Sequence, residues 1–404
     1  MTPFDYWPTT RVVFGAGTLQ QLGEVVEDVS PAMLDRPTRV LLVCDWGVIK
    51  AGHHDAALRV LKEKSLQVET FRDFGENPTS EMVDAGTQVA SAFQPDVLIG
   101  LGGGSSMDCA KGINFVYSCG GSIHDYAGVG KATADMLPLI AVPTTTGTGS
   151  ETQSFALISD ARTHVKMPCG DKRAAARVAI LDPILTTTQP ERVAALAGID
   201  ALSHAIETHV TKRRNAMSIT FSKRSFGLLG AAFDRAMKLK PRDELPSDIS
   251  QVDAHELEMR SQMQSGASLA GMAIEMSMLG AAHATANPLT ARFGIAHGQA
   301  VATTLPAVIR LNATAHDDWY ADLIRQLPRE VLGDTISDSA GDTLASLFES
   351  WVRAAGLHNT LTELGVPSEA ISAMSEDALQ QWTGTFNPVG LDSDRVKRIY
   401  REIL

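Results

Sequence analysis

Four residues in the second half of the chain have the types and spacing to share a metal ion. Asp200 and His204 stand four apart in GIDALSHAIE, a helical pattern that puts both side chains on one face within reach of one cation. His283 falls on or near a further helical stretch, and His297 follows a loop marked by Asn287, Pro288 and Gly294. Three imidazoles and one carboxylate form a borderline nitrogen and oxygen set that suits Fe2+ first and Zn2+ as the alternative, whereas Mg2+ and Ca2+ favour more oxygen. The adjacent His53 and His54 have no comparable arrangement and are given no role.

A second chemistry is written in the first half. The segment DVLIGLGGGSSMDCAKG sets Gly102, Gly103, Gly104 and Ser105 between a strand ending near Leu101 and a helix that carries Asp108 and Lys111. Free N–H groups and the positive dipole end of such a helix suit a pyrophosphate. Asp45 closes the run VLLVC, where a carboxylate would accept hydrogen bonds from an adenosine ribose and repel an added phosphate, which favours NAD over NADP. The run PTTTGTGSE at 143–151 adds Thr144, Thr145 and Thr148, hydroxyls and exposed amides on a short loop.

These residues need two kinds of scaffold. From Val40 to Pro183 the chain repeats short apolar runs separated by helical stretches: VLLVCD, VETFRDF, DVLIGLGGG, LPLIAVPTT, SFALISD and VAILDP. That alternation predicts parallel strands joined by helical crossovers, covered on both faces. TRVVFGAGTLQQLGEVV adds a leading strand, a turn at Gly15 and Gly17, and a helix. Beyond Pro190 strand-like runs give way to long segments rich in Ala, Leu, Met and Glu, including MRSQMQSGASLAGMAIEMSMLGAAHATA, so the second half is expected to be all-helical. Lys238 to Asp253 is expected to be a loop between helices. The expected division is an α/β Rossmann-like dinucleotide-binding domain over 1–185 and an all-α metal-binding domain over 186–404.

Composition narrows the partners. A chain of 404 residues with 44% hydrophobic content exceeds what a single core usually serves. Its formal net charge of −12 argues against nucleic acid and against an anionic membrane surface, leaving a small molecule as the expected partner. No run approaches the roughly 20 apolar residues that span a bilayer, and MTPFDYWPTT lacks the basic and apolar regions of a signal peptide. Cys44, Cys109, Cys119 and Cys169 form no C-x-x-C pair, so reduced thiols and a cytoplasmic location are expected.

Taken in order, VVFGAGTLQQLG, ENPT at 76–79, GGGSSMDCAKG, PTTTGTGSE, AILDP, GIDALSHAIE, His283, His297 and NPVGLDSDRVKRIYREIL resemble the iron-containing (group III) alcohol dehydrogenases over essentially the whole chain. The family is related to glycerol dehydrogenase and dehydroquinate synthase. The resemblance implies a dehydroquinate synthase-like pair of domains with cofactor and metal in the cleft between them. It implies Asp200, His204, His283 and His297 as metal ligands. It assigns Asp45, Asn77, Gly102 to Ser105, Asp108, the threonine loop and Lys166 to the cofactor side, with Lys166 also near the chemistry. One position departs: where the family carries a histidine four residues after the third ligand, this chain has Asn287, which hydrogen-bonds but does not titrate near neutral pH.

The implied reaction moves a hydride between a small alcohol and NAD, assisted by a metal that activates the alcohol or polarises an aldehyde, in a homodimer or higher homo-oligomer. The alternatives are a zinc enzyme of the dehydroquinate-synthase or glycerol-dehydrogenase type, and a homologue without turnover. For the dehydroquinate-synthase type the chain lacks a cluster of Arg and Lys around the ligand motifs to receive a phosphorylated sugar acid.

Overall fold

The computed structural model describes residues 2–31, 35–163, 165–333 and 337–404. Nine strands are described: β1 (Arg11–Phe14), β2 (Arg39–Val43), β3 (Gln67–Phe71), β4 (Val97–Gly102), β5 (Gly128–Val129), β6 (Leu139–Pro143), β7 (Phe155–Ser159), β8 (Lys166–Gly170) and β9 (Val178–Leu181). Six of them pair in the order β1-β9-β6-β4-β2-β3, every pair parallel. Along β2, Val40 and Leu42 pack into one apolar cluster while Leu41 and Val43 pack into another, so both faces of the sheet are covered. The continuous apolar runs in the sequence follow from that double burial.

Two strands depart from the expected parallel arrangement. SFALISD forms β7 outside the main sheet, in a three-stranded sheet ordered β5-β8-β7, where it pairs antiparallel with β8. The connection from Ser159 to Lys166 is far too short for a crossover helix and is long enough for a hairpin. Lys166 therefore begins a strand.

After β9 no strand occurs among the described residues, and the long helices Glu191–His209, Ala216–Ala236, Ala254–Ser277, Ala281–Phe293 and His297–Ile324 follow. Their shared core includes Ile199, Leu202, Phe226, Phe233, Leu305, Phe348 and Trp351, all buried. The long run from Met259 to Ala286 is two helices where the sequence suggested one. The break lies at 278–280, where Met278 takes φ 74° and Glu207 and Asn387 accept from the N–H groups of Ala282 and Ala281. A second departure lies downstream: Asn287 and Pro288 sit inside the helix Ala281–Phe293, and only 294–296 form the loop before His297. Asn287 is therefore not a helix-ending cap.

The two halves meet along the helix Ala254–Ser277. Gln264 donates to the carbonyls of Pro143 and Asp182, Arg260 to that of Thr186, and Thr152 to that of Ser268. Gly149, at φ +63°, lies against Gly271, where a β-carbon would come within 2.7 Å of backbone. Backbone meets backbone at this junction, so the threonine loop is clamped against the helical half.

Candidate metal centre and cofactor crevice

The helix Glu191–His209 presents Asp200 and His204 one turn apart and both buried. Asp200 Oδ1 is 3.3 Å from His204 Nε2, 3.6 Å from His283 Nε2 and 3.8 Å from His297 Nε2. His204 Nε2 and His283 Nε2 are 3.2 Å apart. Asp200, His204 and His283 form the compact part of the group, their ligand atoms all within 4.8 Å of one another. His297 approaches from the first position of its helix and is the most open of the four, with 28% of its side chain exposed.

Burial alone would push the Asp200 carboxyl up, yet the facing His204, His283 and His297 hold it well below the usual carboxylate range. Burial keeps His204 below its ordinary value, against the pull of Asp200. Enclosure likewise takes His297 down to about 3, with Lys166 and the other two imidazoles adding to the effect. His283 goes the other way: burial opposes its charge, but Glu207 and Asp200 outweigh it and raise the imidazole to about 9. His283 Nδ1–H donates to Glu207 Oε2 at 2.5 Å, which leaves Nε2 as the atom turned to the centre. A carboxylate behind a ligating imidazole is the usual way to fix its tautomer and strengthen it as a ligand.

These donors fit a divalent cation. Asp200 Oδ1 is buried without a hydrogen-bond partner while three imidazole nitrogens face it, an arrangement unfavourable for a dry polar cluster and suited to a shared ion. Glu207 escaped the sequence reading. It stands seven residues after Asp200 and three after His204 on the same helix, a spacing that could have marked it as part of that face.

The crevice of the α/β half lies at the C-terminal ends of β2, β4 and β6. From β2 the chain passes to β3 on one side and then to β4 on the other, so a change of direction opens a gap between β2 and β4. Ligands of open parallel sheets bind at such a point. The helix Gly104–Cys119 starts there with no side-chain cap on its first N–H groups. Gly102 has φ +143°, and a β-carbon on it would lie 2.3 Å from Ser106 Oγ; one on Gly104 would lie 2.7 Å from Thr148. The uncapped helix start and the close approach that only glycine permits fit a dinucleotide pyrophosphate.

The other predicted residues surround this gap. Thr144 donates its N–H to the Gly102 carbonyl at 2.9 Å, Thr145 and Thr148 lie against Gly103 and Gly104, and Asn77 donates its N–H to Ser105 Oγ at 3.2 Å. Asp45 caps the short helix Trp46–Lys50, accepting from the N–H groups of Gly47 and Val48 at 2.7 and 3.0 Å, with Ser106 Oγ 3.5 Å from its other oxygen. Asp108 points to the threonine loop instead of the opening, accepting from Ser150 Oγ at 2.7 Å and from the Leu157 N–H at 3.2 Å. Beside it the buried Lys111 donates to Ser150, Gln153 and Phe155 carbonyls at 2.7 to 2.9 Å. Asp108 and Lys111 together brace the loop from behind.

Loop and metal centre touch. Gly147 packs on the helix Glu191–His209 so closely that a β-carbon would meet Ala197 at 2.6 Å, one turn before Asp200. Lys166 is pulled below its ordinary value by burial, while Asp108 and Asp200 favour its charge. Asn287, one turn after His283, donates from Nδ2 to Gln381 Oε1 at 2.9 Å. Trp382, the next residue, lies 6.0 Å from the ring of Phe155 in β7 and bridges the two halves beside the cleft. Gln381 and Trp382 lie in no motif, so only the fold brings them here.

Residues 8–183 match the family described as iron-containing alcohol dehydrogenase, and residues 194–404 match its C-terminal part. The chain belongs to the iron-containing alcohol dehydrogenase family. It is 29% identical to 1,3-propanediol dehydrogenase of Klebsiella pneumoniae, over 99% of this chain and 98% of that protein. It is also 29% identical to the NAD-dependent methanol dehydrogenase of Bacillus methanolicus, over 96% of each. Among solved structures it is similar to a 1,3-propanediol oxidoreductase, with a TM-score of 0.89 at 28% identity and full coverage of both chains. Membership accounts for the parallel sheet followed by helices, and among the described residues no helix is long and apolar enough to cross a membrane.

Proposed function

We propose that this family member oxidises a small alcohol with NAD, or reduces the corresponding aldehyde with NADH, at the cleft between residues 1–185 and 186–404. The observation that carries the reading is the contact of Gly147 with the helix that bears Asp200 and His204, which sets the threonine loop of the cofactor crevice against the metal ligands. A divalent ion, Fe2+ before Zn2+, would supply Lewis acidity towards the alcohol or carbonyl oxygen, and the nicotinamide the hydride chemistry.

The chain itself does the positioning. Asp200, His204, His283 and His297 hold the ion, with Glu207 orienting His283. Gly102 to Ser105 admit the pyrophosphate, Thr144, Thr145, Thr148 and Asn77 line the path of the dinucleotide, and Asp45 stands at its adenosine end. Asp108 serves through the loop it braces. Lys166, buried and drawn electrostatically to both Asp108 and Asp200, would stand near the reacting oxygen and the carboxamide end of the cofactor. Asn287 donates from Nδ2 to Gln381, a bond that orients its amide, and its Oδ1 would accept from a substrate hydroxyl.

We extend the proposal to a cytoplasmic homodimer or higher homo-oligomer. Four free thiols support the compartment, and an edge strand β1 preceded by the exposed Phe4 and Trp7 supports pairing between chains. The test of the activity is a panel of alcohols and aldehydes followed at the NADH absorbance, with protein reconstituted separately with Fe2+ and Zn2+. Turnover with at least one metal is expected. Stoichiometric metal and NAD binding with no turnover anywhere on a broad panel would leave a binding protein and end this reading.

A further inference from the structure

Asp45 was the only charge the sequence placed at the ribose end of the crevice, but the parallel pairing of β2 with β3 adds a cation. Val43 is in register with Phe71, and the Cys44 N–H donates to the Phe71 carbonyl at 3.1 Å, so Arg72 lies beside Cys44, one residue short of Asp45. The Arg72 guanidinium stacks on the ring of Trp46, 4.6 Å from its centroid, and Trp46 is 56% exposed. Among the described residues Arg72 has no carboxylate within ion-pair reach, so its hydrogen-bond donors remain open to a ligand. Asp45 is turned inward: one oxygen accepts two backbone N–H groups, and the other faces the Ser106 hydroxyl. Asp45 follows β2, which neighbours the β4 strand of Gly102, and Arg72 follows the edge strand β3 one place further out; the outward charge is positive.

We propose that Arg72, seated on Trp46, is a specificity-determining residue that receives the 2′-phosphate of NADP(H), so that the site takes NADP(H) as well as NAD(H). The proposal rests on the dinucleotide reading above and changes its adenosine end. Guanidinium forks bind phosphate oxygens in pairs, and a flat aromatic seat holds the fork in one plane without drawing off its donors. The inward carboxylate, already carrying three hydrogen-bond donors on its two oxygens, offers less repulsion to the phosphate than a free one would.

Calorimetric titration tests this without turnover. NAD, NADP, 5′-AMP and 2′-AMP are titrated into the intact protein, into Arg72→Ala and into Arg72→Lys, with intrinsic tryptophan fluorescence as a second readout. The intact protein should bind NADP with a Kd within about tenfold of that for NAD. Arg72→Ala should weaken NADP and 2′-AMP at least about tenfold more than it weakens NAD and 5′-AMP, with part of the loss recovered in Arg72→Lys. Equal weakening of all four ligands would make Arg72 a residue that holds adenine or the strand ends, and would overturn the proposal. Binding of NAD with no measurable binding of NADP would overturn it while leaving the cofactor reading intact. Failure of both dinucleotides to bind would remove both. Arg72 is an exposed residue at a strand end, so loss of fold is not expected, and near-ultraviolet circular dichroism checks it.

Discussion

The two halves of this protein prepare binding in opposite ways. The α/β half presents backbone: an uncapped helix start, glycines at close approaches, and loop amides fixed by Asp108 and Lys111. The helical half presents side chains, gathering one carboxylate and three imidazoles from three helices around a single oxygen. A backbone site depends on local conformation and tolerates many neighbours. A side-chain site depends on how helices pack and fails when one partner is removed. The halves should therefore be separable by mutation, and each experiment below tries to break that separation.

The largest effect is expected from Asp200→Ala, which removes the oxygen that all three Nε2 atoms face. Metal content should fall to near zero, and kcat/KM should drop by at least about 10^3-fold, the scale of several kcal/mol of Lewis-acid assistance. NAD binding measured by calorimetry should persist; its loss along with the metal would show that the crevice depends on the helical half.

Glu207→Gln should act more mildly, because it touches the centre only through His283. A drop in metal affinity of about 10- to 100-fold is expected. Part of this should appear as a change in the pH dependence of metal uptake, since the carboxylate contributes to raising His283 to about 9 and that proton must leave before a cation binds. Unaltered affinity across pH would reduce Glu207 to a packing residue.

On the other side of the cleft, Gly104→Ala drives a β-carbon to 2.7 Å from Thr148. Overpacking of about 1–3 kcal/mol translates into a rise in NAD Kd of about tenfold or more, with metal content unchanged. Adding Thr148→Ala, read against Thr148→Ala alone, should remove the extra loss caused by the β-carbon, because it opens the same space. A metal loss in the single variant would deny the independence of the halves.

The smallest effect on activity should come from a pair of buried histidines, one on each side. Burial takes His53, bonded to Thr188 Oγ1 at 2.7 Å, down to about 4, and His209, bonded to Ser222 Oγ at 3.0 Å, down to about 3. Both stay neutral in the fold and gain a proton on unfolding below pH 6.5, so between 6.5 and their folded values the unfolded state binds more protons. Stability must fall as pH drops through that window, by about 2 kcal/mol per histidine between pH 6.5 and 5. His53→Gln and His209→Gln should each flatten that slope in denaturant titrations. A slope unchanged in both variants would place the acid sensitivity elsewhere.

Legibility differed between the halves for the same reason. Gly102 to Ser105 could be read as a cradle because the glycines, the preceding apolar run and the following helix are contiguous, and the structure has the parallel strand and the helix in those places. Asp200 and His204 were legible as a pair because 3.6-residue periodicity alone puts them on one face. Nothing local predicted that SFALISD would leave the main sheet and pair with the strand of Lys166, since an apolar run does not state its partner. Pro288 misled for a related reason: as a helix breaker it suggested a loop, yet the packed helix continues to Phe293.

By itself the sequence determined what depends on near neighbours: alternating strands and helices in the first half, helices alone in the second, the phosphate-type turn, and the ligand types available for a metal. Tertiary structure alone decided which distant residues stand behind and beside those groups. Glu207 reaches His283 across 76 positions, Gln381 ties Asn287 across 94, and strand pairing sets Arg72 next to the residue before Asp45. Hydrogen bonds, burial and charge act over a few ångströms of space, and separation along the chain says nothing about which residues the packing of sheet and helices will bring within that range.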